Sequence, residues 1–353
     1  MTIANIILSS QNGGAEQVFL DYTSILQQSN YPVCAFIRHN APYYNKLKQL
    51  NIEVGKATNN FGYYDWFFIW QFRKFLLNNQ VKMVIAHSSK ATVIAKKAIS
   101  TIKHKIFLIS VNHSYNIKRS LLADLIFSVN RQIMFKTIDA GRSVNNSIFM
   151  PNAINFMPNN LLSWQDFTNK KTIVLGVMAR MVKEKGIINA IKSIALLTNN
   201  SIQFLLKIAG DGPEMPNLQQ EVQKLNLQDR VMFLGWCQEK EFYEQIDIFL
   251  MPSLVETFGL VMLTAIKYGK PVITTNTDGA IEIFGSNNNA AIFVDLQQNI
   301  AEQFANSINN LTKQPDLVQN LVNNSQYRLC NHFSFSSLQQ NLNEVVGQIY
   351  QNL

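Results

Sequence analysis

A single acid, Glu256, stands in Pro252-Ser-Leu-Val-Glu-Thr-Phe-Gly-Leu-Val-Met-Leu-Thr264, after an apolar run ending at Met251 and before a segment that opens a helix. A helix start leaves backbone N–H groups unpaired and carries partial positive charge. The amides of Phe258, Gly259 and Leu260 would therefore suit an anionic or hydroxyl-rich ligand. Upstream, Arg180 and Lys185 lie five residues apart in Gly176-Val-Met-Ala-Arg180 and Lys183-Glu-Lys185-Gly186. A strand ending near Ala179 and a helix starting near Gly186 would present both at a strand's carboxyl edge. One planar, bidentate cation and one compact ammonium in that place fit a diphosphate. Gly13-Gly14-Ala15-Glu16 falls between the first strand and the first helix, where glycines let the backbone approach a ligand. Gly210-Asp-Gly212-Pro213 makes a similar turn further on. His113, in Ser110-Val-Asn-His-Ser114, follows a strand end, and so does His87. His39, His104 and His332 have no such setting. No opposed carboxylate pair of the hydrolase kind is readable, and no Asp-x-Asp occurs, so neither a metal nor another cofactor is expected.

The elements that must hold these residues alternate along the chain. Strands are expected at Ala4–Leu8, Val33–Ile37, Met83–Ala86, Ile106–Ser110 and Leu125–Val129, with helices at about 16–29, 42–50, 65–78 and 89–99. After Pro151-Asn-Ala-Ile154 and a polar stretch, the alternation restarts. Strands are then expected at Thr172–Met178, Phe204–Ala209, Val231–Leu234, Ile246–Met251, Val272–Thr274 and Ala291–Val294. Helices fall at 185–198, 214–225, 239–245, 258–268, 299–312, 316–330 and 336–352. Strands alternating with helices imply parallel, doubly wound sheets. The expected division is an N-terminal α/β domain over 1–160, a second over 161–335, and a last helix in 336–353 that packs back on the first. Two such domains facing each other would form a cleft at the carboxyl ends of their strands.

The 353 residues suit two cores rather than one, and 47% hydrophobic against 15% charged residues marks a buried, globular chain. Cys34, Cys237 and Cys330 form no ligand-spaced or CxxC cluster, which points to a reduced, cytoplasmic setting. No apolar window is long enough for a transmembrane helix, and the N-terminus lacks the pattern of a signal peptide. The net charge of +8 is uneven: residues 1–160 hold 17 Lys and Arg against 6 acids, and residues 161–353 hold 14 against 17. A basic first half beside a near-neutral second implies an anionic surface as partner. The aromatic stretch Tyr63–Leu77 reads as a helix packed on the sheet. Trp66, Trp70, Arg73 and Lys74 are its candidates for a lipid headgroup boundary.

In order and spacing these patterns resemble the family 4 retaining glycosyltransferases, which have the GT-B fold of two facing Rossmann-like domains with an interdomain cleft. The resemblance runs from Gly13 to the turn at Gly279–Glu282 and is strongest over 172–275. It implies a nucleotide-diphosphate sugar as donor and transfer of a hexosyl or N-acetylhexosaminyl group with retention. The implied acceptor is a saccharide or lipid-linked saccharide of lipopolysaccharide, O-antigen or capsule synthesis. By the same resemblance, Arg180, Lys185 and Gly14 would meet the donor diphosphate. Glu256, Phe258, Gly259, Leu260, Gly210 and Gly212 would meet the sugar and nucleotide, with His113 beside them, while Gly13 and His87 would lie toward the acceptor. The family usually has a second Glu eight residues after the first, to take the ribose; here Thr264 stands there, which would weaken that contact by roughly 1–2 kcal/mol. The basic half adds an expected peripheral contact with the inner face of an anionic membrane, and no nucleic acid is expected. Two rivals are a nucleotide-sugar 2-epimerase on the same fold and a scaffold subunit with impaired donor binding. A nucleotide-dependent oxidoreductase is disfavoured because no G-x-G-x-x-G follows the first strand.

Overall fold

A computed structural model describes residues 2–10, 13–57, 65–156, 161–167, 169–197 and 202–351. Two compact units emerge: unit 1 comprises 1–152 with 336–353, and unit 2 comprises 153–335. Unit 1 opens with β1 (Thr2–Ile7), α1 (Gly14–Gln28), β2 (Val33–Arg38), α2 (Tyr44–Lys48) and β3 (Glu53–Ala57). It continues with α3 (Trp66–Asn78), β4 (Val81–His87), α4 (Ser89–Ser100), β5 (Phe107–Asn112), β6 (Leu125–Ser128), α5 (Arg131–Asp139) and β7 (Ser147–Phe149). Among the described residues its seven strands run parallel in the order β3-β2-β1-β4-β5-β6-β7. The central strands are apolar without alternation because helices cover both faces. One face carries α1, whose Phe19 and Leu20 pack with Ile7, Ala35 and Ile37. The other carries α3 and α4 over Ala4, Ile6, Phe36 and Val84.

Unit 2 runs β8 (Thr172–Met178), α6 (Ile187–Leu196), β9 (Gln203–Ala209), α7 (Met215–Lys224), β10 (Val231–Gly235), α8 (Glu239–Glu244) and β11 (Ile248–Met251). Then come α9 (Leu260–Lys267), β12 (Val272–Thr275), α10 (Asp278–Phe284), β13 (Ile292–Val294), α11 (Ile300–Leu311) and α12 (Pro315–His332). Its strands are parallel in the order β10-β9-β8-β11-β12-β13. A last helix, α13 (Phe335–Gln351), belongs to unit 1 over all but its first residue. There Tyr350 meets the Tyr31 ring at 5.7 Å, and Gln339 Nε2 donates to Ser29 Oγ at 3.3 Å.

Several elements depart from the sequence expectation. β3 and β7 are edge strands that the sequence leaves unmarked, and α5 and α10 are helices read there as connections. The β3 segment Glu-Val-Gly-Lys-Ala is polar because it is half exposed. Gly55 is needed in it, since a Cβ there would stand 2.5 Å from Phe36. α2 shrinks to five residues. Helix α6 starts at Ile187, after a 3-10 turn over Lys183–Lys185 and a left-handed Gly186. Tyr63 and Tyr64, expected at the head of the aromatic helix, lie outside the described residues. Helix α3 is anchored by Asp65, whose carboxylate accepts from Phe68 N at 3.0 Å, a normal N-cap.

Helix α1 holds one group at odds with its surroundings. Burial pushes the Asp21 carboxyl up from 3.8 to about 6, with the Gln17 hydrogen bond and Lys46 pulling the other way. An acid whose folded value is raised stabilises the fold fully below its unfolded value, and that contribution is lost as pH rises through the folded one. Asp21→Asn keeps an acceptor for Gln17 without the charge. It is expected to gain up to about 2–3 kcal/mol at pH 8 and nothing at pH 3. Denaturant melts of the two proteins at both pH values check this, and an equal gain at pH 3 would refute the cause.

Candidate functional site

In unit 2 the site begins where β8 runs out. Ala179 N donates to Ala209 O at 3.1 Å and Met181 N to Asp211 O at 2.8 Å, so the segment after β8 stays paired with the Gly210–Gly212 turn. Both glycines are needed for that closeness. A Cβ on Gly210 would stand 2.1 Å from Ala179 O, and one on Gly212 would stand 2.4 Å from Met181 O. Gly210 and Gly212 therefore shape the strand edge from which Arg180 emerges, exposed. Six residues on, Gly186 takes φ +58° with its Cα against the chain at Pro252, where a Cβ would be 2.1 Å from the carbonyl oxygen. Leu254 N also donates to Glu184 O at 2.8 Å.

These backbone contacts lock the Lys185 segment onto the Glu256 loop. Their result is a side-chain pair: Lys185 Nζ lies 2.5 Å from Glu256 Oε2, with the two side chains 21% and 10% exposed. Glu256 also leans over Gly259, where a Cβ would stand 3.2 Å from its Cγ, and its carbonyl accepts from Gly279 N at 3.0 Å. The acid thus lies between an ammonium and the start of α9, an arrangement suited to hydroxyls and phosphate oxygens together.

Three expectations in this unit need correction. α9 begins at Leu260, with Gly259 (φ +91°) as its cap, two residues later than the sequence suggests. Phe258 is buried, and its backbone is pressed by Gly279, where a Cβ would come within 2.6 Å of Phe258 N. The Phe258 amide is therefore covered by α10, and the amides that remain at the helix start are those of Gly259, Leu260 and Val261. Thr264 is only 5% exposed, and its hydroxyl donates back to Leu260 O at 3.3 Å, the usual refuge of a threonine on a helix. Its proton is turned back into the helix, which leaves only the hydroxyl oxygen's lone pairs for any other contact.

In unit 1 the carboxyl ends of β4 and β5 gather a second cluster. Gly13 caps α1 and Gly14 opens it, both exposed. Ala15, Ser88, Lys90, Asn112 and His113 line a cavity of about 280 Å³. Ser88 and Lys90, in the Ser-Ser-Lys that follows β4, were not singled out by sequence; the strand-end position was the available signal. His113 directly follows β5 and is half-buried. His87 differs from its expected role. It is the last residue of β4, fully buried, and walled by Phe19 and Tyr22 at ring distances of 5.7 and 5.1 Å. A group so enclosed does not touch an acceptor. Its Nδ1 lies 3.2 Å from His113 Nε2. Burial first, then His113, holds His87 well below the ordinary imidazole value, and burial lowers His113 to about 4. Both rings are neutral at pH 7.

Residues 160–328, nearly all of unit 2, match the family model of glycosyl transferases group 1. Unit 2 thus carries the match to the group 1 glycosyl transferases over almost its whole length. Similar proteins include the O-antigen biosynthesis glycosyltransferase WclY of Escherichia coli, 32% identical over 203 residues, covering 53% of this chain and 56% of that one. The lipopolysaccharide core biosynthesis glycosyltransferase LpsE of Rhizobium meliloti is 30% identical over 158 residues, 44% of each chain. The chain thus spans about half the length of these relatives. Among solved structures, HepE of Anabaena in complex with UDP-glucose superposes with a TM-score of 0.84 at 20% identity, over 99% of this chain and 100% of that one. The lipopolysaccharide outer core galactosyltransferase WaaB superposes with 0.81 at 18%, over 100% of both. At such identities the likeness is one of fold, and the fold is GT-B.

Proposed function

We propose that the chain transfers a hexosyl or N-acetylhexosaminyl group, with retention, from a nucleoside-diphosphate sugar to a saccharide or lipid-linked acceptor of surface-glycan synthesis. The observation that carries this reading is the Lys185–Glu256 pair at the start of α9, inside a group 1 glycosyltransferase domain. In the reaction the bond from the anomeric carbon to the phosphate oxygen breaks, and an acceptor hydroxyl oxygen bonds to that carbon. The hydroxyl proton leaves with the phosphate. Arg180 and Lys185 would steady the charge building on the departing diphosphate, which lowers the barrier because those cations are already in place. Glu256 would accept from hydroxyls of the sugar, and the amides of Leu260 and Val261 would complete its cradle. Two cations and a helix start would do at the phosphates the work that a metal does elsewhere. In unit 1, His113 and the cavity beside it are the candidate groups for the reaction.

HepE binds UDP-glucose, which makes a UDP-sugar the first donor to try. Calorimetry against UDP-, GDP- and ADP-sugars is expected to give sub-millimolar binding for one base and to persist in EDTA. Silence across the panel at millimolar concentration would overturn the reading.

The acceptor half of the proposal places the enzyme at the cytoplasmic face of a membrane. Its support is α3, which packs by Phe68, Ile69, Phe72, Phe75 and Leu76 yet leaves Trp66 81%, Phe67 53% and Trp70 52% exposed. Lys74 Nζ sits 5.6 Å from the Trp70 ring centre, and residues 65–106 hold eight Lys and Arg against one acid, the buried cap Asp65. Aromatic rings beside ammonium groups suit the boundary of an anionic bilayer. No helix among the described residues is long and apolar enough to cross one. Flotation with anionic vesicles is expected to fall roughly tenfold when Trp66 and Trp70 are both changed to Ala. Equal flotation of the unaltered protein with neutral and anionic vesicles would count against the membrane.

A further inference from the structure

His87 and His113 make a contact that their separate readings do not explain. The rings are inclined by only 19°, with centres 5.5 Å apart and Nδ1 to Nε2 at 3.2 Å. That centre separation is what the N···N distance plus two imidazole radii gives. The rings therefore meet edge to edge in nearly one plane, the geometry of an N–H···N hydrogen bond, and not face to face. Both rings are neutral, so the bond holds a single proton and each ring has one N–H to place.

The surroundings of His87 decide where that proton goes. Its second nitrogen, Nε2, is buried with no hydrogen-bond partner. Beside it stand Phe19 and Tyr22, at 86° and 80° to the imidazole. Among aromatic rings an N–H is better tolerated than a bare lone pair, because the ring faces carry negative charge. His87 is then the Nε2–H tautomer, its Nδ1 accepts, and the bond's proton belongs to His113 Nε2.

We infer that His87 is a positioning residue for His113: through a buried hydrogen bond it fixes the plane of that ring and holds it as the Nε2–H tautomer. His113 can then act through Nδ1 only as an acceptor, toward a partner hydroxyl. A phosphate oxygen, having no proton to give, would not be its partner. This consequence rests on the glycosyl-transfer reading, but the tautomer itself does not and can be measured without substrate.

The test is nitrogen-15 NMR of the histidine rings of the full chain at pH 7. The expected result is a single His113 species with the proton on Nε2. His87→Leu, which fills much of the space without a polar edge, is expected to shift His113 away from that single Nε2–H species. His87→Asn is expected to restore one species, because an Asn amide falls where His Nδ1 lies and its oxygen can accept. A merely space-filling His87 would leave the His113 spectrum alike in the Leu and Asn variants, which would overturn the inference. So would a His113 protonated on Nδ1 in the unaltered protein, a result that needs no variant to fold.

Discussion

Lys185→Ala is expected to lower donor-dependent turnover by about a hundred- to a thousandfold while the protein stays folded. Lys185 is the ammonium that reaches the Glu256 carboxylate, at 2.5 Å. Removing it takes away charge stabilisation that grows as the phosphate departs, so kcat should fall more than KM rises. It also strands the Glu256 carboxylate, 10% exposed, without its counter-charge. A partly enclosed carboxylate so left repels an incoming diphosphate, and donor affinity should drop as well. Lys185→Ala together with Glu256→Gln separates the two effects: affinity should partly return and turnover should not. Steady-state rates within threefold of the parent for Lys185→Ala would remove the residue from the reaction.

The second large effect is on stability. Gly186→Val is expected to cost unit 2 about 4 kcal/mol or more. A valine at φ +58° is strained in itself, and its Cβ would begin 2.1 Å from Pro252 O, where only a shift of backbone relieves the clash. The comparison is Gly235→Ala. Gly235 has φ +64° but open space within 4 Å, so it should cost only about 1 kcal/mol of conformational strain. Denaturant unfolding of the pair measures the difference, which isolates the crossing at Pro252 from left-handed backbone alone. Equal losses would mean that the crossing is not tight. Because the same crossing brings Lys185 to Glu256, any folded Gly186→Val protein should also lose donor binding.

The parts of this fold that were legible in the sequence are those whose burial is written in composition. The continuous apolar runs of β1, β4, β8 and β9 have helices on both faces and no reason to alternate, and they stand out. β3 and β7 lie at the sheet's edges, β3 polar and half-exposed and β7 only three residues long, and leave no such trace. α10 was hidden because Gly279, needed for a close approach to Phe258, resembles a turn signal. In the site, Arg180 and Lys185 could be found from a strand–loop–Gly pattern within a few residues. The pairing of Lys185 with Glu256, 71 residues away, depends on which strands become neighbours. Burial of His87 and the inward bond of Thr264 were equally unreadable, since both depend on rings and carbonyls supplied by distant or helical neighbours.

The placement of α13 has a consequence for synthesis. Residues 336–351 belong with the first 152, so unit 2 is an insertion in the sequence of unit 1. Leaving the ribosome, the chain delivers every strand of unit 1 first, then the whole of unit 2, and only afterwards the helix whose Leu338, Leu342 and Val346 finish the first core. The second unit can close on its own residues while the first still waits, with apolar surface uncovered beside Tyr31. Chains truncated after residue 335 should therefore carry a protease-resistant 153–335 body joined to a susceptible N-terminal part. The last seventeen helical residues act as a delayed clasp rather than a dispensable tail.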